Sequence, residues 1–106
     1  MKKFDYVAFM EEFLELTDEL FQGETPPHLY SPEQWDNERG EKYGRGALLT
    51  AVIEESSWYN ILNGNYQYPE DCEAVEDALE RLQELEEKFG VWHELGYAWS
   101  IHWYPE

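Results

Sequence analysis

Hydrophobic residues recur at helical spacing from the start of the chain. At ~100° per residue, Tyr6, Phe9, Met10, Phe13, Leu16 and Leu20 form one stripe, while Glu11, Glu12, Glu15, Asp18 and Glu19 lie opposite. The spacing predicts a helix from roughly Phe4 to Phe21 with one buried and one acidic face. Gly23 and the pair Pro26-Pro27 end it, because glycine tolerates the left-handed exit and proline cannot continue the hydrogen-bond ladder. Ser31-Pro32-Glu33-Gln34 then has the form of a helix start, with a capping serine, proline in the first turn and glutamine three residues on. Gly40, Gly44 and Gly46 punctuate the next stretch, which also holds Arg39, Lys42 and Arg45. It reads as an interhelical loop, since the Lys-Ser or Lys-Thr that completes a phosphate loop is missing.

From Ala47 to Asn63 nearly every position is apolar, which predicts a central helix ended by Asn63-Gly64. Pro69 opens the longest expected helix, running to Phe89 and stopped by Gly90. Its core stripe is Cys72, Val75, Ala78, Leu79, Leu82, Leu85 and Phe89. Glu86 projects into that apolar sector, so it either escapes past the core or is held by a partner. In the tail, Tyr97, Trp99, Ile101 and Trp103 alternate with Ala98, Ser100, His102 and Tyr104, which favours a strand. A helical stripe through Trp92, Leu95, Trp99 and Trp103 also fits. A strand there needs an edge to pair with, either residues 24–30 or a second copy of the chain, which would make a homodimer through the aromatic segment. The expected fold class is therefore mainly α: one domain over residues 1–106, with three to four helices and a C-terminal aromatic β-strand.

Composition changes this picture little, but charge changes it a great deal. With 42% hydrophobic and 17% aromatic residues, the chain can bury a core and is not a disordered segment. Against that stand 24 Asp and Glu and only 7 Lys and Arg, a formal net charge of −17. Such a chain repels nucleic acid and anionic membrane surfaces, and its field accelerates encounter with basic proteins. No apolar run approaches the ~20 residues of a membrane span. Met1-Lys2-Lys3 could open a secretory signal, but Asp5, Glu11 and Glu12 interrupt its central region. A single cysteine, Cys72, suits a reducing compartment, and the expected location is the cytoplasm.

Residues able to carry chemistry are sparse. His28, His93 and His102 are scattered, with no His-Glu-x-x-His or Cys-x-x-Cys spacing, so neither a metal nor another cofactor is expected. Cys72 falls on the core stripe, where a thiol is an inert small hydrophobe. Glu54-Glu55 is the best place for acid–base work, yet adjacent helical residues point ~100° apart and at most one could face a site. A margin position, or pairing with Arg39, Lys42 or Arg45, accounts for them better. The expectation is a binding protein, not an enzyme.

The stronger signal is the acidic face of the longest helix. Glu73, Glu76, Asp77, Glu80, Glu84 and Glu87 fall within about a third of its circumference, with Arg81 and Lys88 to one side. Like charges three or four residues apart cost ~0.2–0.5 kcal/mol per pair, so helix stability alone does not favour the pattern. Nine acids between Glu70 and Glu87 span ~26 Å at helical rise, one per ~3 Å, against one phosphate per ~3.4 Å along a DNA strand. Glu11, Glu15 and Asp18 supply a second, shorter ridge. In composition the chain resembles the small phage and mobile-element proteins that block nucleic-acid-handling defence enzymes, such as anti-CRISPR and antirestriction proteins. That resemblance implies a stoichiometric inhibitor whose acidic ridges fill the basic nucleic-acid channel of a nuclease or CRISPR effector. An immunity or antitoxin-like protein that neutralises a basic nuclease toxin would use the same electrostatics. Solubility also favours acidic faces.

Overall fold

The computed structural model describes residues 4–39, 46–64 and 72–106. Helix α1 spans Tyr6–Leu20 and is capped by the Asp5 carboxylate, which accepts from the Ala8 N–H at 3.1 Å. Strand β1 (His28–Tyr30) follows, and then the short helix α2 (Pro32–Gln34). The expected capping box is present there: Gln34 N–H donates to Ser31 Oγ at 3.2 Å, and Ser31 N–H to Gln34 Oε1 at 3.0 Å. The chain continues through a π-helical turn, Trp35–Arg39. Strand β2 (Leu49–Val52), helices α3 (Ser57–Leu62) and α4 (Cys72–Phe89), and strands β3 (Val91–Leu95) and β4 (Ser100–Pro105) complete the order.

The strands form one antiparallel sheet in the order β1-β2-β4-β3, so the fold is α+β and not mainly α with a single tail strand. Two expectations fail here. The first is the central helix over residues 47–63: its first half is β2, and only residues 57–62 are helical. A short apolar run cannot distinguish a buried helix from a strand buried on both faces. Leu49, Thr50 and Ala51 are all buried because β2 lies between β1 and β4, so no alternation survives in its sequence. Ser56 then caps α3, its Oγ accepting from Trp58 N–H at 3.1 Å.

The second concerns the tail. It holds two strands where one was expected, and Gly90, at φ 69°, turns the end of α4 directly into the first of them. Strand β4 is flanked by β2 and β3, so both its edges are paired within the chain and none is left for a second copy. Residues 24–30 do contribute a strand, but β1 pairs with β2 and not with the tail.

Alternation along β4 divides the protein into layers. Ile101 and Trp103 face α1 and α4, together with Leu49, Ala51 and Ile53, and meet Phe9, Phe13, Leu16, Ala78, Leu82 and Leu85 in the main core. The Trp103 ring lies edge-on to Phe9 and Phe13, at centroid distances of 5.0 and 5.1 Å. Trp58 is wholly buried against Phe13, and its indole N–H donates to Thr17 Oγ1 at 2.9 Å, while that hydroxyl donates to the Phe13 carbonyl at 2.8 Å. Among the described residues, no buried side-chain nitrogen or oxygen lacks a hydrogen-bond partner. None of the described helices is long and apolar enough to cross a membrane.

Candidate partner-binding face

Helices α1 and α4 lie side by side on the sheet and run antiparallel, as their cross-links show. Arg81 reaches Glu19 at 2.7 Å, and further along α4 Lys88 reaches back to Glu12 at 2.7 Å. Between them runs a groove of about 300 Å³, floored by Leu16 and Leu85 and walled by Glu12, Glu15, Glu19 and Glu84 together with the two cations. The hydrogen bond from Arg81 to Glu19 pushes the guanidinium pKa further up, more than desolvation lowers it, so this charge is permanent.

All nine expected partner-binding residues are exposed: Glu11, Glu15 and Asp18 on α1, and Glu73, Glu76, Asp77, Glu80, Glu84 and Glu87 on α4. The fold brings Glu15 and Glu84 onto the same groove. Asp77 lies 4.0 Å from Arg81, and no ion pair joins a cation to Glu76, Glu80 or Glu84 among the described residues. Both basic side chains of α4 are thus drawn sideways toward α1. The outward sector of α4 is left to carboxylates, and α1 carries no basic residue at all. Glu70 and Asp71, counted in the spacing of acids along this helix, lie outside the described residues.

Glu86 departs from the ridge. It is buried, accepts from the Trp103 indole N–H at 2.8 Å, and lies 2.5 Å from His93 Nδ1 on β3. Its place in the apolar sector was the visible sign that a partner holds it. That partner is a pair of side chains from the two C-terminal strands, which no helical pattern could have specified. The carboxylate ties α4 to β3 and β4 from within the core.

The three histidines serve separate environments. His28 is exposed on β1, its ring tilted against Tyr30 at a centroid distance of 4.3 Å. His93 faces α4, whereas His102 points to the other side of the sheet, fully buried. There Thr50 Oγ1 lies 2.8 Å from its Nδ1, Ser100 Oγ 2.9 Å from its Nε2, and the Trp35 ring is edge-on at 5.2 Å. Burial pushes the His102 pKa down to about 4, so the ring is neutral near pH 7. A Ser–His contact closed on all sides has no access for a substrate; it is a packing device. No cluster of metal-ligating side chains occurs among the described residues. Glu54 and Glu55 are exposed in the turn after β2, beside Pro27 and His28, and not on a helix as expected. Of their expected cationic neighbours, Lys42 and Arg45 lie outside the described residues, as do the Arg39 and Cys72 side chains.

No family model, curated protein or solved structure matches this chain. The site must be read from its own chemistry.

Proposed function

We propose that the protein is a non-catalytic, stoichiometric inhibitor whose α1–α4 face binds the cationic nucleic-acid channel of a partner protein in place of nucleic acid, in the manner of anti-CRISPR and antirestriction proteins. The observation that carries this reading is the all-carboxylate outer sector of α4, whose two cations are both engaged in the groove toward α1. A surface kept acidic only for solubility has no need to segregate its cations. A basic groove built for a phosphate backbone gains Coulomb energy and association rate from such a ridge. Neutralising a basic nuclease toxin would use the same face, and the identity of the partner separates the two roles.

Affinity capture from a host lysate at low salt, eluting with rising salt, should yield a nucleic-acid-binding protein that releases across the range where the Debye length shrinks from ~30 Å at 0.01 M to ~8 Å at 0.15 M. Changing Glu76, Glu80 and Glu84 together to lysine should abolish capture and restore nucleic-acid binding by that partner. The matched control is Glu33, Glu38 and Glu55 to lysine, an equal change of charge at exposed positions away from α1 and α4. Equal loss in the two variants would reduce the effect to global charge. Retention of binding in both would end the electrostatic reading.

A further inference from the structure

On the flank of α4 turned away from α1, a second groove of about 390 Å³ lies between the helix and the edge of the sheet. Leu79, Gln83 and Glu87 of α4 line it with Val91, His93 and Glu106. Strand β3 forms the outer edge of the sheet, and its register with β4 decides which backbone groups face outward. Glu106 N–H donates to the Gly90 carbonyl at 3.1 Å, and Gly96 N–H to the Ser100 carbonyl at 3.2 Å. Hydrogen-bonded pairs alternate in an antiparallel ladder, so the intervening Trp92 and Glu94 pair their backbones with Tyr104 and His102. The N–H and C=O groups of Val91, His93 and Leu95 therefore point away from the sheet. Among the described residues no strand meets them.

Only three large hydrophobic side chains are well exposed among the described residues, and two of them border this edge: Leu79 at 37% and Trp92 at 42%. Both border the groove, but their side chains belong to opposite faces of the sheet edge. Leu79 is on the helix side, whereas the Trp92 ring lies tilted against Tyr104 on the other face, two residues from the exposed Glu94.

We propose that β3 and the groove beside it bind an extended segment of a partner protein as a fifth strand, with basic side chains over Trp92 and Glu94 and apolar side chains against Leu79. An added strand satisfies the three outward N–H and C=O pairs, and its side chains alternate between the two faces. On the Trp92 face, a lysine or arginine gains both a cation–π contact and a cross-strand partner in Glu94. On the α4 side, an apolar side chain covers Leu79, with Glu87 and Glu106 at the rim for a further cation. A second copy of the chain is the wrong occupant. Pairing β3 with itself would bring Glu94 and the Glu87–Glu106 rim of two molecules together, each molecule carrying −17. This site shares Glu87 with the helix ridge but does not rest on that reading, and its test changes residues outside the ridge.

Acetylated heptapeptides alternating lysine or arginine with valine, leucine or isoleucine should be titrated into isotope-labelled protein at 0.15 M salt. At least one is expected to bind saturably, shifting the amide signals of Val91, His93 and Leu95 and protecting them from hydrogen exchange. The double change Leu79→Lys with Glu106→Lys should weaken that peptide tenfold or more. Asn60→Lys with Glu33→Lys, the same charge change at exposed sites elsewhere, should alter affinity by less than twofold. The proposal is overturned if no peptide saturates, if both variants lose affinity equally, or if those amides are already protected in a protein that light scattering shows to be dimeric.

Discussion

The two faces of the sheet are built from alternate residues of the same strands, yet they are held by different physics. Toward the helices, Leu49, Ala51, Ile101 and Trp103 pack against Phe9, Phe13 and Leu82, and the contacts are non-directional. Away from them, Thr50, Ser100 and His102 form a closed hydrogen-bonded cluster beneath Trp35. A neutral imidazole has one donor and one acceptor nitrogen, so one hydroxyl must accept and the other must donate. The Tyr97 N–H, donating to Ser100 Oγ at 3.0 Å, holds that hydroxyl in place. The apolar face loses stability in graded fashion, in proportion to the contact area and cavity a change creates. The polar face works only as a complete set, because a buried polar group left unpaired costs more than its hydrogen bond returned.

Cutting deepest into the apolar face should have the largest effect. Trp103→Ala removes the ring between Phe9 and Phe13 and takes the indole donor from buried Glu86. A loss of ~3–5 kcal/mol in urea unfolding is expected. A loss under ~1 kcal/mol would mean that the two-helix core is not centred there.

The polar face supplies the next test. His102→Leu leaves the Thr50 hydroxyl buried without the imidazole, at ~1–3 kcal/mol, while Ser100 Oγ still accepts from the Tyr97 N–H. Changing Thr50 to valine in the same molecule should recover much of that loss by removing the orphaned hydroxyl, whereas Ser100 must stay because it accepts from the Tyr97 N–H. The ring also makes stability depend on pH. Its folded pKa, about 4, lies below the ordinary value of 6.5, so the unfolded chain binds the proton first as pH falls. The contribution of neutral His102 is fully present above pH 6.5 and is lost as pH drops toward 4, with a limiting slope of ~1.4 kcal/mol per pH unit. Protonation of the many carboxylates overlaps this window, so the test compares wild type with His102→Leu. The wild type should lose stability more steeply between pH 6.5 and 4, and parallel curves would contradict the assignment.

The smallest effect belongs to the helix surface. Arg81→Ala and Lys88→Ala each break one exposed clamp between α1 and α4, and each should cost no more than ~1 kcal/mol. The difference from wild type should shrink as salt rises to 0.5 M.

How much of this was legible in the sequence follows from the range of the interactions. Local features were readable: α1 with its stripe, the Ser31–Gln34 capping box, Gly90 as the stop for α4, and the exposed carboxylates of both long helices. Each depends on residues within a few positions of one another, where helical geometry dictates which side chains are neighbours. Glu86 was visible as an anomaly for the same reason. What the sequence could not determine was everything that depends on pairing across the chain. Residues 49–52 became a strand because β1 and β4 flank them, and burial on both faces removed the alternation that marks a strand at the surface. Val91–Leu95 became an edge because β4 turned back on it after four residues. His102 and Thr50 meet across 52 positions, Glu86 and Trp103 across 17, and the cations of α4 find Glu19 and Glu12 across 62 and 76. Tertiary structure alone decided those partners, since a sheet register brings together residues whose separation along the chain has no period to read.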